Sequence, residues 1–200
     1  MSVDKDTKQK LLESARKEFI EKGFNKASLR SICADAGVTT GALYFFFKDK
    51  EDLFEEVMKG PMAELYGIVT GHFNMEAEAS EIPERDDNDV DAAASIIHVL
   101  FKRRDLFLML LTRAQGSNLE NIRDQFVTFV EQHYLAFANK FEQMSGKSLK
   151  TDRSIIHWVA HNQVDLFIYL LEHCDREEEA LKLVPGLVSY LTGGWYSMFE

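Results

Sequence analysis

The chain has 200 residues, few enough for one or two domains and enough for a sizeable core without disulfides or metals. Its composition, 46% hydrophobic and 28% charged, is that of an ordinary globular protein, and no apolar run approaches the ~18 residues of a membrane span. The net charge of −10 argues against a nucleic-acid partner for the chain as a whole. Its distribution reverses that reading: residues 1–50 carry ten basic and seven acidic side chains, and the remainder thirteen basic and twenty-six acidic. A mildly basic head on an acidic body is the pattern of a small DNA-reading domain joined to a larger one of other function.

Three prolines and eleven glycines beside fifteen phenylalanines predict long helices and few turns. Leu11, Leu12, Ala15, Phe19 and Ile20 are spaced for one helical face, and Gly23 fits the position just past its end. A second, short helix starts near Ser28 with Leu29, Ile32, Cys33 and Ala36, and Gly37 ends it. Thr39 or Thr40 caps a third helix reaching Phe47, and Asp49 caps a fourth that uses Leu53, Phe54, Val57, Met58, Met62 and Leu65. Gly60-Pro61 within that pattern predicts a kink or a stop, serving either as a hinge or as a static bend. Residues 74–91 lose the periodicity and gain Glu and Asp, as a solvated connector does. Helical patterns resume at roughly 90–101, 104–113, 118–144, 152–174 and 177–199, without strand alternation. The chain reads as all-α.

Residues 28–47 read as helix, Gly-containing turn, helix, the arrangement that sends a second helix into the DNA major groove. Leu43 and Phe47, one turn apart, face inward, leaving Gly41 and Phe45 roughly opposite. Gly41 permits close backbone approach. Thr39 and Thr40 offer hydroxyls to phosphate or base edges, Ala42 and Phe45 offer apolar contact to thymine methyls, and Tyr44 offers a phenol to the phosphate backbone. Lys48 flanks the helix end. Lys50 at the next helix N-terminus opposes the dipole unless a phosphate lies there. Ser28 and Arg30 complete the candidate DNA-contacting set.

The whole segment, KGFNKASLRSICADAGVTTGALYFFFKDKEDLFEEV from Lys22 to Val57, resembles the tetracycline-repressor (TetR) family of transcriptional regulators. The resemblance rests on Gly23-Phe24, Ile32-Cys33, Ala36-Gly37-Val38, Thr40-Gly41-x-Leu43-Tyr44-x-x-Phe47 and Lys48-x-Lys50-Glu51-x-Leu53. Thr192-Gly193-Gly194-Trp195 adds a likeness near the chain end. Many members carry Lys in place of Thr40, and His or a second Tyr in place of Phe45 and Phe46, so the reading face here is less charged. The resemblance implies a three-helix DNA-binding head, 5–65, and a larger helical domain, 66–200, that binds a small-molecule effector and forms a homodimer through the last two helices. It also implies a double-stranded operator and repression relieved by the effector. Separately, the absence of a secretory signal and the two distant cysteines, Cys33 and Cys174, predict a cytoplasmic location.

The broad apolar surfaces of the last two patterns, with Trp158, Phe167, Tyr190 and Trp195, suit an interface as well as a core. Phe101, Phe107, Met109, Phe126, Phe129, Trp158, His161 and Phe167 are pocket candidates, with core packing the plainer reading of each. His157, His161 and Asp165 recur at helical spacing, but no metal or cofactor is expected. No nucleophile elbow, phosphate-binding loop or Cys-x-x-Cys occurs, so the chain is not read as an enzyme. Control by a protein partner instead of a ligand, or an all-α enzyme or carrier with a vestigial head, remain the alternatives.

Overall fold

The computed structural model describes residues 2–80 and 87–200. Among them are nine helices: α1 (Ser2–Lys26), α2 (Leu29–Ala36), α3 (Thr40–Phe46), α4 (Lys50–Glu78), α5 (Asp87–Lys102), α6 (Arg104–Arg113), α7 (Ile122–Ser145), α8 (Ile155–His173) and α9 (Glu177–Ser197). The only extended pairing among the described residues is an isolated bridge between Leu149 and Phe199. No described helix is long and apolar enough to cross a membrane.

Local chemistry sets the helix ends of the N-terminal region. Ser28 caps α2 by accepting from the Ser31 N–H, and Thr39 caps α3 by accepting from the Ala42 N–H at 3.2 Å. At α4 the capping is reciprocal: Asp49 accepts from the Asp52 N–H, and Asp52 accepts from the Lys48 N–H, both at 2.9 Å. These side-chain oxygens satisfy N–H groups that no helical carbonyl can reach. Gly37 closes α2 in the left-handed conformation, φ 69°.

Three expected boundaries move. α4 does not stop at Gly60-Pro61 but runs through it to Glu78. Proline deletes a single N–H donor, and the inward face of Leu53, Phe54, Val57, Met58 and Leu65, all buried, stabilises the helix on both sides of the gap. The acidic connector is shorter than 74–91, because α4 and α5 take both of its ends; 81–86 lie outside the described residues. α7 starts at Ile122, not near 118. Its expected first turn is a non-helical turn in which the Asn118 N–H and side-chain amide donate to Glu51 and Glu55, each at 2.9 Å.

The chain divides into two units. One contains the described residues up to Glu64 together with Arg103–Ile122. Here α1, α2 and α3 pack on one another, and α6 lies along α1. Phe19, Phe24 and Phe54 form the aromatic centre, with ring centroids 4.9–6.1 Å apart. Against the expected division at 65/66, the segment after Lys102 returns to this first unit, because Leu106, Phe107, Met109 and Leu110 are its buried face. The second unit holds the described residues of 65–102 and Arg123–Glu200. Its core has three parts: Ile97, Leu170, Cys174, Ala180 and Val184; Ala138, Phe141, Ile156, Trp195 and Phe199; and Phe73, Val127, Val130 and Ala160.

Candidate nucleic-acid interface

The turn between α2 and α3 is built by three residues of different chemistry. Gly37 supplies the left-handed step, and its N–H donates back to the Ala34 carbonyl at 3.2 Å. Val38 donates to the Cys33 carbonyl at 2.9 Å, completing a two-bond helix stop. Thr39 then starts α3. Cys33 itself is buried, and burial pushes its thiol up, so it behaves as a small apolar side chain rather than a reactive one.

On α3 the division of faces is sharp. Leu43 and Phe47 are buried, while Thr39, Thr40 and Gly41 are exposed. Tyr44 is 59% and Phe45 76% exposed, and Ala42 is half-buried at the edge. Phe46 is half-buried, with Phe45 set edge-on against it at 4.9 Å. Ser28, Arg30 and Lys48 are exposed at the flanks. The outward row therefore combines hydroxyls, one bare backbone position, one phenol and one apolar ring, with cations to either side.

Lys50 departs from its expected role. Its ammonium donates to the carbonyls of Phe24 at 2.8 Å, Asn25 at 3.2 Å and Ala27 at 3.4 Å, and lies 4.5 Å from the centre of the Phe24 ring. These carbonyls end α1, where a cation is favourable. The dipole conflict at the start of α4 is thus resolved inside the protein, without a phosphate.

Two supporting residues carry no sequence signal. Glu18, buried on α1, accepts from Lys22 at 2.9 and 3.0 Å, from the Ser28 N–H at 3.1 Å and from the Ser31 hydroxyl at 3.2 Å. Burial alone would raise its carboxyl, but these donors together hold it below the ordinary carboxylate value. The carboxylate pins the start of α2. Arg113 from α6 donates to the carbonyls of Ile20 at 2.7 Å and Glu21 at 3.1 Å, just where Gly23 turns the chain at φ 73°. A Cβ on Gly23 would lie 2.9 Å from the Arg113 Cβ. Pairing between such distant residues leaves no periodic trace in the sequence.

The pocket candidates do not converge. Phe107 and Met109 belong to the first unit, buried within α6, because their face of α6 is the one packed in that unit's core. Phe101 and Phe167 pack on the Ile97–Leu170 cluster. Phe126 and Phe129 meet Tyr66, with centroids at 4.8 and 5.5 Å, and Phe129 also meets Phe73 at 5.5 Å. Trp158 is 56% exposed. His161 meets only the edge of His157 among the rings, at 4.7 Å. His157 pairs with Glu131 at 2.8 Å and Asp165 with Arg123 at 2.6 Å.

Comparison with known proteins places the likeness in the N-terminal segment. The sequence profile described as "Bacterial regulatory proteins, tetR family" matches residues 11–57, which span α1 to the first turns of α4. This segment is similar to the tetR family of bacterial regulatory proteins. It is 42% identical over 53 residues to the HTH-type transcriptional repressor BepR of Brucella suis, a match covering 26% of this chain and 25% of that protein. The likeness to such curated relatives thus spans about a quarter of their length. Solved structures extend the likeness in fold alone. A TetR-like transcriptional regulator from Rhodococcus sp. RHA1 superposes with a TM-score of 0.61 at 15% identity, covering 95% of this chain and 96% of that one. NalD, the secondary repressor of the MexAB-OprM multidrug efflux pump in Pseudomonas aeruginosa, does so at 0.61 and 18%, covering 92% and 96%.

Proposed function

We propose that this protein is a DNA-binding transcriptional regulator, a repressor whose α3 enters the major groove of a double-stranded operator. The observation that carries the reading is the division of α3, with Leu43 and Phe47 buried and Thr39, Thr40, Gly41, Tyr44 and Phe45 turned to solvent. Gly41 leaves room for close approach to the groove. Thr39 and Thr40 bring hydroxyls, and Ala42 and Phe45 bring apolar surface suited to thymine methyls. Tyr44, Lys48, Ser28 and Arg30 engage phosphates and fix the register, while Lys50 positions the head by closing α1.

The active species is a homodimer formed through α8 and α9. Trp158 and Tyr169 on α8, and Leu183 and Tyr190 on α9, stand 46–70% exposed, supplying the aromatic surface that a self-complementary interface uses. Release from the operator follows binding of a small, largely apolar effector in the second unit, where Tyr66, Phe73, Phe126 and Phe129 form a continuous group of rings.

Selection from a pool of random duplexes tests this reading. A dimeric reader enriches a two-fold symmetric sequence whose half-sites lie about one helical turn, ~34 Å, or a multiple apart. Recovery of no preferred sequence, or of an unrepeated one, contradicts it.

A further inference from the structure

Among the described residues, one group of His and carboxylate side chains holds its ligand atoms within 4.8 Å of one another: His72, Glu76 and Asp89. A fourth side chain, outside that group, pairs with one of its members. His133 Nε2 lies 2.8 Å from the same Glu76 Oε2 that stands 3.6 Å from His72 Nε2, and His72 Nε2 is 3.1 Å from Asp89 Oδ1. Three helices of the second unit supply them: His72 and Glu76 sit one turn apart on α4, Asp89 on the first turn of α5, and His133 on α7.

The four side chains are mostly buried, 10–23% exposed. Two carboxylates close together in such a place need compensating charge. The Lys140 ammonium beside them donates to the backbone carbonyls of Glu76, Ala77 and Ala79 at 2.6–2.8 Å.

We propose that His72, Glu76, Asp89 and His133 form a four-ligand site for a divalent first-row transition ion, zinc in the first place. Two neutral imidazoles and two carboxylates carry the charge that one divalent cation balances. With bonds of about 2.0–2.1 Å, neighbouring ligand atoms of a tetrahedral zinc stand about 3.3 Å apart; His72 Nε2 stands 3.1 Å from Asp89 Oδ1 and 3.6 Å from Glu76 Oε2. His133, paired with Glu76 at 2.8 Å, is the fourth donor, which must move inward to share the ion. Mixed imidazole and carboxylate donors favour such ions over calcium or magnesium, which take oxygen alone. His133 is held in place by Phe73, whose ring stacks on it at 3.6 Å with an interplanar angle of 1°.

The untagged full-length chain, stripped with a chelator, is titrated with Zn2+ in competition with a chromogenic chelator. One ion per chain is the expected result. His72→Ala and His133→Ala should each weaken binding by at least roughly tenfold, the loss that removal of even a supporting group causes. His157→Ala on α8 should change nothing. Cobalt gives a second readout, its visible bands reporting four-coordination and fading in both variants. Circular dichroism verifies folding, and Glu76→Gln, which keeps size and shape, serves in place of a histidine variant that loses helicity. Absence of stoichiometric binding by the wild type, or binding unchanged in all three variants, overturns the proposal and leaves the cluster a set of His–carboxylate ion pairs. The titration contains no DNA, so its outcome is independent of the proposed operator binding.

Discussion

Lys48 and Lys50 stand two residues apart and meet different surroundings. Lys48 is exposed beside the end of α3, whereas the Lys50 ammonium is bound to three carbonyls at the end of α1. Replacing each with Ala should separate the two roles. Lys48→Ala should leave thermal stability within about 0.5 kcal/mol and reduce the salt slope of DNA binding by about one per subunit. Lys50→Ala should instead lower the unfolding midpoint of the head, with weaker binding that follows the loss of folding. Equal salt slopes for Lys48→Ala and the wild type would remove it from the phosphate contacts. Glu18 adds a pH dependence. Its carboxyl is held low in the folded protein, so its stabilising effect is fully present above the unfolded value of about 4.3 and is lost as pH falls through the lower folded value. Glu18→Gln should therefore destabilise the protein at neutral pH, on the order of 1–3 kcal/mol for a charged hydrogen-bonding group, and flatten the acid limb of the stability curve. Parallel acid limbs in urea titrations of the two proteins would contradict that assignment.

At the scale of elements, the turns of the head rest on two left-handed glycines with unequal demands. Gly37 has φ 69° and nothing within 4 Å of an added Cβ, whereas Gly23 has φ 73° and meets Arg113 at 2.9 Å. Gly37→Ala should cost about 1–2 kcal/mol, the strain of the left-handed conformation alone, and Gly23→Ala should cost more because the α6 contact must also give way. Denaturant midpoints of the two variants measure the difference, and an equal cost would place no tight contact at Gly23. The start of α2 near Ser28, the caps at Thr39 and Asp49, the Gly37 stop and the buried pair Leu43 and Phe47 were legible in the sequence, because each depends on residues within a turn or two. Of the kink or stop expected at Gly60-Pro61, the stop does not occur, because the buried face, which local propensity omits, carries α4 across it. Phe107 and Met109 lie buried in the first unit, which the sequence did not show: periodicity marks which face of α6 is buried but not in which unit. Lys50, Glu18 and Arg113 act across gaps in sequence that no spacing rule covers. The His72–Glu76–Asp89–His133 group was hidden because two of its members fall in the stretch read as an acidic connector.

For the whole molecule, the basic head and acidic body agree with the proposed division of labour, and the profile match is confined to residues 11–57. Dimerisation is the claim that links the head to a symmetric operator, since one recognition helix covers too few base pairs to select a site. Tyr190→Glu combined with Leu183→Glu places charge on exposed apolar positions of α9. It should leave the monomer folded, shift sedimentation at micromolar concentration from dimer to monomer, and abolish high-affinity operator binding. A wild type that sediments as a monomer with and without operator would remove the dimer from the account. The central claim is that the outward face of α3 reads base edges, and the most direct test is the base preference, position by position, of wild type, Thr40→Ala and Tyr44→Phe against one library of operator variants. Thr40→Ala should alter the preferred base at one pair of symmetry-related positions, with each mismatch otherwise keeping its cost of about 1–3 kcal/mol. Tyr44→Phe should weaken binding to all variants alike. An unchanged preference for Thr40→Ala, or a wild type that binds every library member equally, would contradict it.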